Sequence, residues 1–316
     1  LGHIQILIRP EGAGPQTKPA ALNYGLARSF GSIVGIYDAE DRPEREQLAV
    51  IARVMQADPR IQCVQAYLNY HNREETFITR MFALEYSLHF DYVLPGLLKL
   101  GLPIPLGGTS NFIRRPMLEK LGGWDAHNVT EDADLGLRLA EAGGRMAMAS
   151  STTYEEATEG PGPWIKQRSR WLKGYLQTWL VHTRRPMSLR TSIVLHGMLG
   201  AVVLNALAIP VTTLMFAAWW LTEWALVEAI FGGMLKFPSY FLLVGGNFIH
   251  AWLLAMAPLR RGWFGLSTEV FLLPLYWVLQ SAAAYRALFG LMRNPSYWSK
   301  TDHSAGADPI RDVFHA

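Results

Sequence analysis

The chain has 316 residues, enough for one sizeable soluble domain with something added to it. A formal net charge of +3 excludes a chain-wide nucleic-acid-binding surface, so basic character has to be judged locally. The single cysteine, Cys63, excludes an intrachain disulfide and fits a reducing compartment.

The first residue is Leu1 rather than Met, and the sequence enters a strand-like run at once, so an N-terminal part is expected to be missing. Residues 3–8 predict a short apolar strand, 9–19 a Gly/Pro-rich loop and 18–30 a helix. Residues 32–37 form a continuous apolar run, as in a buried parallel strand, and end in Asp38-Ala39-Glu40-Asp41. Residues 44–57 read as helix and 61–68 as strand. This alternation predicts an α/β domain with a parallel sheet. Ligands bind at the carboxyl ends of such strands, where Asp38 sits. Residues 74–100 predict a helical stretch interrupted at Pro95-Gly96, and 107–115 a polar loop. A strand near 145–149, a loop with Glu155 and Glu156, and a helix over 164–182 complete this half of the chain.

Between the polar loop and that strand lies Val129-Thr130-Glu131-Asp132-Ala133-Asp134. Thr130 predicts an N-cap, with Glu131, Asp132 and Asp134 in the first turn behind it, where the helix dipole keeps carboxylates ionised. Leu135, Leu139 and Ala142 then give the helix a buried face. An ionised carboxylate held there can take a proton from a substrate hydroxyl, although a well-capped amphipathic helix would carry the same residues.

Charges are dense up to about Arg190 and sparse from there to about Leu259, which marks the main domain boundary. Residues 193–221 carry no charge and exceed the roughly 20 residues that a bilayer core needs. Residues 237–259 are a second uncharged stretch, and 270–291 a third that contains Pro274 and Arg286. Trp219, Trp220, Trp224, Trp252, Trp263 and Trp277 lie more often near segment ends than mid-span, as in an aromatic belt. The alternative is a very hydrophobic soluble helical domain. Arg184, Arg185 and Arg190 before the first stretch, and Arg260 and Arg261 after the second, are expected on the cytoplasmic side. A full third crossing would place Arg293 and Lys300 outside, so the third stretch is expected to lie at the interface or fold back.

Two further motifs carry chemistry. Asp38 and Glu40 put two carboxylates on one turn after a buried strand, an oxygen site suited to Mg²⁺ or Mn²⁺ on a diphosphate; a polar strand-end turn would look the same. In Gln167-Arg168-Ser169-Arg170-Trp171, Gln167 and Trp171 share a helix face with Arg170 beside them. These side chains can bind phosphate and stack on a sugar, or touch anionic lipid.

The order D-x-E after a strand, then T-E-D, then Q-x-x-R-W, then membrane helices resembles the processive family-2 glycosyltransferases: cellulose, hyaluronan and chitin synthases and their bacterial relatives. The resemblance runs from about Arg9 to the end of the chain. Lys18-Pro19-Ala20-Ala21-Leu22-Asn23 resembles the family's K-A-x-x-L-N segment near the nucleotide. Residues 107–115 resemble its acceptor-side loop, and Trp298-Ser299-Lys300-Thr301, more weakly, a gating-loop element. The resemblance implies a glycosyltransferase-A-like parallel-sheet catalytic domain over 1–190, lacking its N-terminal part. Transmembrane or interfacial helices over 191–291 and a tail over 292–316 would follow.

By the same resemblance, Asp132 would be the general base. Lys18, Asn23, Asp38 and Glu40 would bind the donor nucleotide, with Asp38 and Glu40 holding Mg²⁺ or Mn²⁺. Gly108, Thr109, Ser110, Asn111, Glu131, Gln167, Arg168, Arg170 and Trp171 would hold the diphosphate and the acceptor. The implied function is inverting transfer from a nucleotide-diphosphate sugar, foremost a UDP-sugar, to a growing β-linked polysaccharide. The implied setting is the inner (plasma) membrane, multi-pass, with a cytoplasmic catalytic domain and no nucleic-acid partner. Glu40 stands where the family often has Asp. The family's upstream strand-helix-strand segment with its further Asp has no counterpart, since Asp58 and Asp91 sit in the wrong order. Competing readings are a non-processive transferase to a lipid-linked acceptor and a catalytically silent membrane subunit.

Overall fold

A computed structural model describes residues 4–12, 14–222, 225, 229 and 232–294. The element 298–301 lies outside the described residues.

One five-stranded sheet organises the first half of the chain, in the order β1-β4-β3-β5-β2. Its strands are β1 (Ile33–Gly35), β2 (Arg42–Pro43), β3 (Ile61–Tyr70), β4 (Asn111–Arg114) and β5 (Arg145–Glu155). Only β3 and β5 pair in parallel; β1 with β4, β3 with β4, and β2 with β5 are antiparallel. The sheet is therefore mixed, not the parallel sheet expected. The difference comes from β4, which the sequence hides at the end of a polar loop, and from β2, a two-residue edge that contains a proline. Pro43 lacks an N–H to give to the ladder, and such residues belong at edges.

Residues 4–8 are not in the sheet, against the expected strand. Ile4, Ile6 and Ile8 are 72%, 88% and 82% exposed. The central strand β3 is buried on both faces: its Cys63 and Leu68 pack on one side with Ile113 of β4, Ile104, Leu118 and Leu135, while Val64 packs on the other with Ile51 and Met55.

Helix α1 (Lys18–Leu26) is capped by Thr17, whose hydroxyl accepts from Ala20 N. Helix α2 (Gln47–Ala57) lies against β3 and β5. Helix α3 (Phe77–Leu88) runs through a π-helical turn (His89–Val93) into α4 (Leu94–Lys99). The expected break at Pro95-Gly96 does not occur, because Pro95 falls in the first turn of α4, where its missing N–H costs little. Helix α5 (Arg115–Lys120) follows β4, and α6 (Glu131–Glu141) begins at the acidic motif. Thr130 makes no side-chain cap there, contrary to expectation.

Its hydroxyl is instead pressed against α7 (Pro161–His182). A Cβ placed on Gly174 of α7 would come within 2.4 Å of Thr130 Cγ2 and 2.6 Å of its Oγ1. The missing side chain at 174 is what lets the start of α6 reach α7. Polar ties lock the contact. Asn128 Nδ2 donates to Thr178 Oγ1 at 3.0 Å, and His182 Nε2 meets Asp134 Oδ1 at 2.7 Å. Asp134 also holds Arg138 at 2.6 Å, and Arg138 donates to the carbonyls of Leu121 and Gly123.

Two helices in the second half are long and apolar enough to cross a membrane: α8 (Leu189–Thr222), with a π-turn at Leu195–Gly200, and α9 (Phe237–Arg261). Both are tied at their charged ends to the first half. Ser188 donates to Glu141 at 2.8 Å just before α8, and Arg261 at the end of α9 pairs with buried Asp91 at 2.5 Å. Helix α10 (Leu273–Arg293) behaves differently. Tyr276, Ala283, Ala284 and Ala287 are buried in a core shared with Trp164, Leu172 and Leu176 of α7. The third hydrophobic stretch thus lies along the sheet domain's last helix.

A Gly174→Ala substitution is expected to cost about 1–3 kcal/mol by overpacking. Thermal unfolding in detergent measures the loss, and adding Thr130→Ala, which removes two of the three clashing atoms, should recover part of it. Independent, additive effects would show that residues 130 and 174 do not share this contact.

Candidate active site

The site gathers where α1, the end of β1, the loop before β4, α6 and α7 meet. Lys18, at the first position of α1, reaches across to Asp38 Oδ1 at 2.5 Å and donates to Gly108 O at 2.9 Å. Gly108 leaves room for Asp132: a Cβ at 108 would stand 3.2 Å from Asp132 Oδ2 and 3.9 Å from Lys18 Nζ. Asp132 Oδ1 accepts from Ala133 N at 2.7 Å, a helix-start hydrogen bond that holds the carboxylate in place. Arg170 of α7 is within electrostatic reach of Glu131, Asp132 and Asp38. Asp38, Asp132, Lys18, Glu131 and Arg170 therefore form one charged cluster assembled from four separate parts of the chain.

Burial governs the chemistry of this cluster. Desolvation raises the pKa of Glu131, and the neighbouring Asp132 raises it further. Asp132 is raised by desolvation as well, with the Ala133 N–H and the Lys18 ammonium pulling the other way. Burial works against the Lys18 ammonium, but Asp38 together with Glu131 and Asp132 outweighs it and the pKa is raised. Desolvation lowers Arg170. A carboxylate with a raised pKa is a better proton acceptor than an ordinary aspartate, provided that it is ionised.

Glu40 faces a second group of acids. Asp41 is pushed up to about 6 by desolvation and by the charges of Asp38 and Glu40. Its Oδ2 accepts from Asp38 N at 2.8 Å and from the Thr109 hydroxyl, while its buried Oδ1 has no hydrogen-bond partner among the described residues. Glu155, at the end of β5, is raised well above the usual range by burial and by Asp41, Asp38 and Glu40. Among the described residues no three His, Cys, Asp or Glu side chains are gathered into a complete cage. The oxygen-only donors and the orphaned Asp41 Oδ1 nevertheless suit a hard divalent cation. Such ions commonly take one or two carboxylates and complete their shell with substrate phosphate and water.

Other sequence-predicted residues are used differently. Asn23 is spent on the 123–124 turn, giving 2.7 Å to Trp124 O and accepting 2.9 Å from Trp124 N. Thr109, Ser110 and Asn111 are buried and turn inward: Ser110 Oγ meets Thr153 Oγ1 at 2.6 Å and Asn111 Nδ2 donates to Gly107 O at 2.8 Å. From this loop, Gly108 stands beside Asp132. Gln167 is buried, and its Oε1 has no partner among the described residues. Trp171 packs on Phe82 and Tyr86. Arg168 faces away from the cluster, paired with Glu85 and donating to Tyr276 Oη at 3.1 Å, with its guanidinium over Phe82, Trp164 and Trp171.

Sequence reasoning missed Gln65, which shapes the loop. Its Nε2 donates to Thr109 O at 3.0 Å and its Oε1 accepts from Gly107 N at 2.9 Å. A glutamine flanked by Val64 and Ala66 in the middle of the strand was the available signal, since a buried amide must find partners. It also left Asp41 and Glu155 without a role, although one adjoins the D-x-E motif and the other was visible as a loop acid.

The sequence profile described as glycosyl transferase family group 2 matches residues 33–295. The chain belongs to that family. The probable glycosyltransferase YdaM of Bacillus subtilis is 30% identical over 171 residues, 54% of this chain and 40% of that protein. The beta-monoglucosyldiacylglycerol synthase of Synechocystis is 28% identical over 223 residues, 68% of this chain and 46% of that protein. A probable glucomannan 4-beta-mannosyltransferase 3 of rice, Oryza sativa, is 28% identical over 161 residues, 50% of this chain and 29% of that protein. The chain matches less than half the length of each of these relatives.

Lys18 lowers the pKa of both Glu131 and Asp132. Removing its charge in Lys18→Met should therefore raise both further. The acid limb of a pH–rate profile should move to higher pH, so that activity is lost earlier as pH falls. An unmoved limb would mean that neither acid controls the rate.

Proposed function

We propose that this member of the glycosyl transferase family group 2 is an inverting, nucleotide-sugar-dependent glycosyltransferase, with Asp132 as its general base. The observation that carries the reading is the convergence of Asp132 with Lys18, Asp38 and Arg170 at the start of α6. In an inverting transfer the acceptor hydroxyl attacks C1 from the face opposite the leaving diphosphate and loses its proton as it does so. Asp132, held by the Ala133 N–H, takes that proton. Lys18 and Arg170 supply positive charge where the diphosphate gains negative charge.

Asp38 and Glu40 would hold Mg²⁺ or Mn²⁺, which when bound adds positive charge against the diphosphate. Lys18 would orient the donor through the same carboxylate, Asp38. Gln167, whose buried oxygen has no partner among the described residues, and Trp171 would face the acceptor. Arg168, tied to Glu85 and Tyr276, would set the position of α7 rather than touch substrate.

The donor is a nucleotide-diphosphate sugar, foremost a UDP-sugar, and the acceptor a growing β-linked polysaccharide. A second reading, transfer to a lipid acceptor, draws on the diacylglycerol-linked product in the name of the Synechocystis relative, which matches 68% of this chain. Product analysis in membranes supplied with several nucleotide sugars separates the two: polymer supports the first, glycolipid the second.

The protein would sit in the inner membrane, with the sheet domain cytoplasmic and α8 and α9 crossing. The ties from Ser188 to Glu141 and from Arg261 to Asp91 support this reading, because they hold Arg184, Arg185, Arg190, Arg260 and Arg261 on the domain's side, as the positive-inside rule expects. Helix α10 would lie at the interface.

Asp132→Asn keeps the shape but cannot take a proton, and is expected to lower turnover about 10²–10⁴-fold while sparing donor binding. Near-normal turnover would remove Asp132 from the role of base. Nucleotide-diphosphate affinity, followed calorimetrically, should collapse on chelation and in Asp38→Ala/Glu40→Ala; equal affinity with and without divalent cation would refute the metal role.

A further inference from the structure

Lys18 and Asp132 belong to different helices, α1 and α6, and both helices are tied to one short turn at 121–126, just after α5. From α1 come Thr17 and Asn23. Thr17, the residue before Lys18, donates from its hydroxyl to Ala126 O at 2.9 Å. Asn23 gives Nδ2 to Trp124 O at 2.7 Å and accepts from Trp124 N through Oδ1 at 2.9 Å. An amide that meets both backbone groups of one residue fixes its orientation as well as its distance.

From α6 comes Arg138. Its Nη1 donates to Leu121 O and to Gly123 O, each at 3.0 Å, and its Nη2 donates to Gly123 O at 3.0 Å. Its Nε pairs with Asp134 at 2.6 Å, and Asp134 lies two residues beyond Asp132 on the same helix. Gly123 is therefore gripped from both sides: its carbonyl by Arg138 of α6, and its Cα face by Asn23 of α1.

The turn is stiff. Gly122 and Gly123 take φ values of 75° and 74°, a region that side chains disfavour. A Cβ on Gly123 would come within 2.3 Å of Asn23 Oδ1, so the bare Cα is what lets Asn23 reach Trp124. The Trp124 ring is buried in a core with Leu118 of α5 and with Leu135 and Leu139 of α6, and Leu22 and Leu26 of α1 pack against that core.

We propose that the 121–126 turn is a brace that sets the spacing of Lys18 from Asp132, with Asn23 and Arg138 as its positioning residues. Neither acts by contact with the reacting groups. Both ends of the Asn23 amide are engaged by Trp124, so Asn23 serves the site through Lys18 rather than as a donor ligand. If α1 shifts, Lys18 leaves Asp38 and Gly108, and its charge no longer stands where the diphosphate gains negative charge. This inference rests on the roles proposed above for Lys18 and Asp132.

The test is a double-mutant cycle on the full chain, with turnover and thermal midpoint measured for each variant. Asn23→Ala is expected to lower turnover roughly tenfold to a hundredfold, since about 1 Å of misplacement can cost about 10²-fold. In a Lys18→Met background the same substitution should cost less than about twofold, because the group that it positions is already gone. Losses that multiply would overturn the proposal, since Asn23 would then act apart from Lys18. Normal turnover with a lowered midpoint would overturn it as well, leaving Asn23 a structural role only.

Arg138→Lys keeps a charge beside Asp134 and loses the guanidinium fork on the two carbonyls. It should lower turnover from the α6 side, and it carries the test if Asn23→Ala does not fold; unchanged turnover would break the brace. Midpoints in a cycle of Asn23→Ala with Arg138→Lys need no sugar transfer. They should fall short of additive, because both residues hold one turn, and strictly additive shifts would overturn the brace. Unchanged turnover in Lys18→Met alone would overturn the role of Lys18 instead, and the midpoints would then decide the brace.

Discussion

The contact between Thr130 and the bare Cα of Gly174 is the constraint on which the rest of the structure depends. It brings the first turn of α6, with Glu131 and Asp132, against the middle of α7, with Gln167 and Arg170. A larger residue at 174 would push these apart by the width of a methyl group, and catalytic geometry tolerates little of that. The ties from Asn128 to Thr178 and from Asp134 to His182 keep the two helices from sliding along each other.

Bringing these residues together buries charge, and the site is built to bear it. Carboxylates from α6 and from the end of β1 meet two cations among the described residues, Lys18 and Arg170, and both are themselves partly desolvated. The result is a set of acids with raised pKa values rather than a closed network of ion pairs. A directly paired group, such as Arg168 with Glu85 and Tyr276, rigidifies a fold. The two arginines lie two residues apart on α7, Arg168 turned to Glu85 and Arg170 within reach of Glu131, Asp132 and Asp38.

The hydrophobic second half is joined to the sheet domain by specific polar contacts and a shared core. Glu141 holds the start of α8, Asp91 holds the end of α9, and α10 shares a core with α7. Helix α7 is thus the common wall of the charged cluster and the aromatic core around Trp164.

Much of this was legible in the chain itself. The D-x-E, T-E-D and Q-x-x-R-W motifs and their order pointed to the family, and the uncharged stretches pointed to α8 and α9. These are local signals, carried by spacing along one helix or one strand end. The sheet was not legible: β4 is four residues inside a polar loop, and whether β3 pairs parallel or antiparallel depends on partners about 50 to 80 residues away. The apolar run at 4–8 read as a strand because apolarity signals a buried strand only when a partner is present to bury it.

The roles of individual side chains divide the same way. The family resemblance carried by the order of the motifs put Asp38, Asp132 and Arg170 in one site, although each motif alone also suited an ordinary polar turn, a capped helix or a basic helix face. Only the tertiary structure decided that Arg168 turns to Glu85, that Thr109, Ser110 and Asn111 turn inward, and that Gln65, Asp41 and Glu155 matter. The direction of a side chain is set by which neighbours can satisfy it, and those neighbours come from elsewhere in the chain.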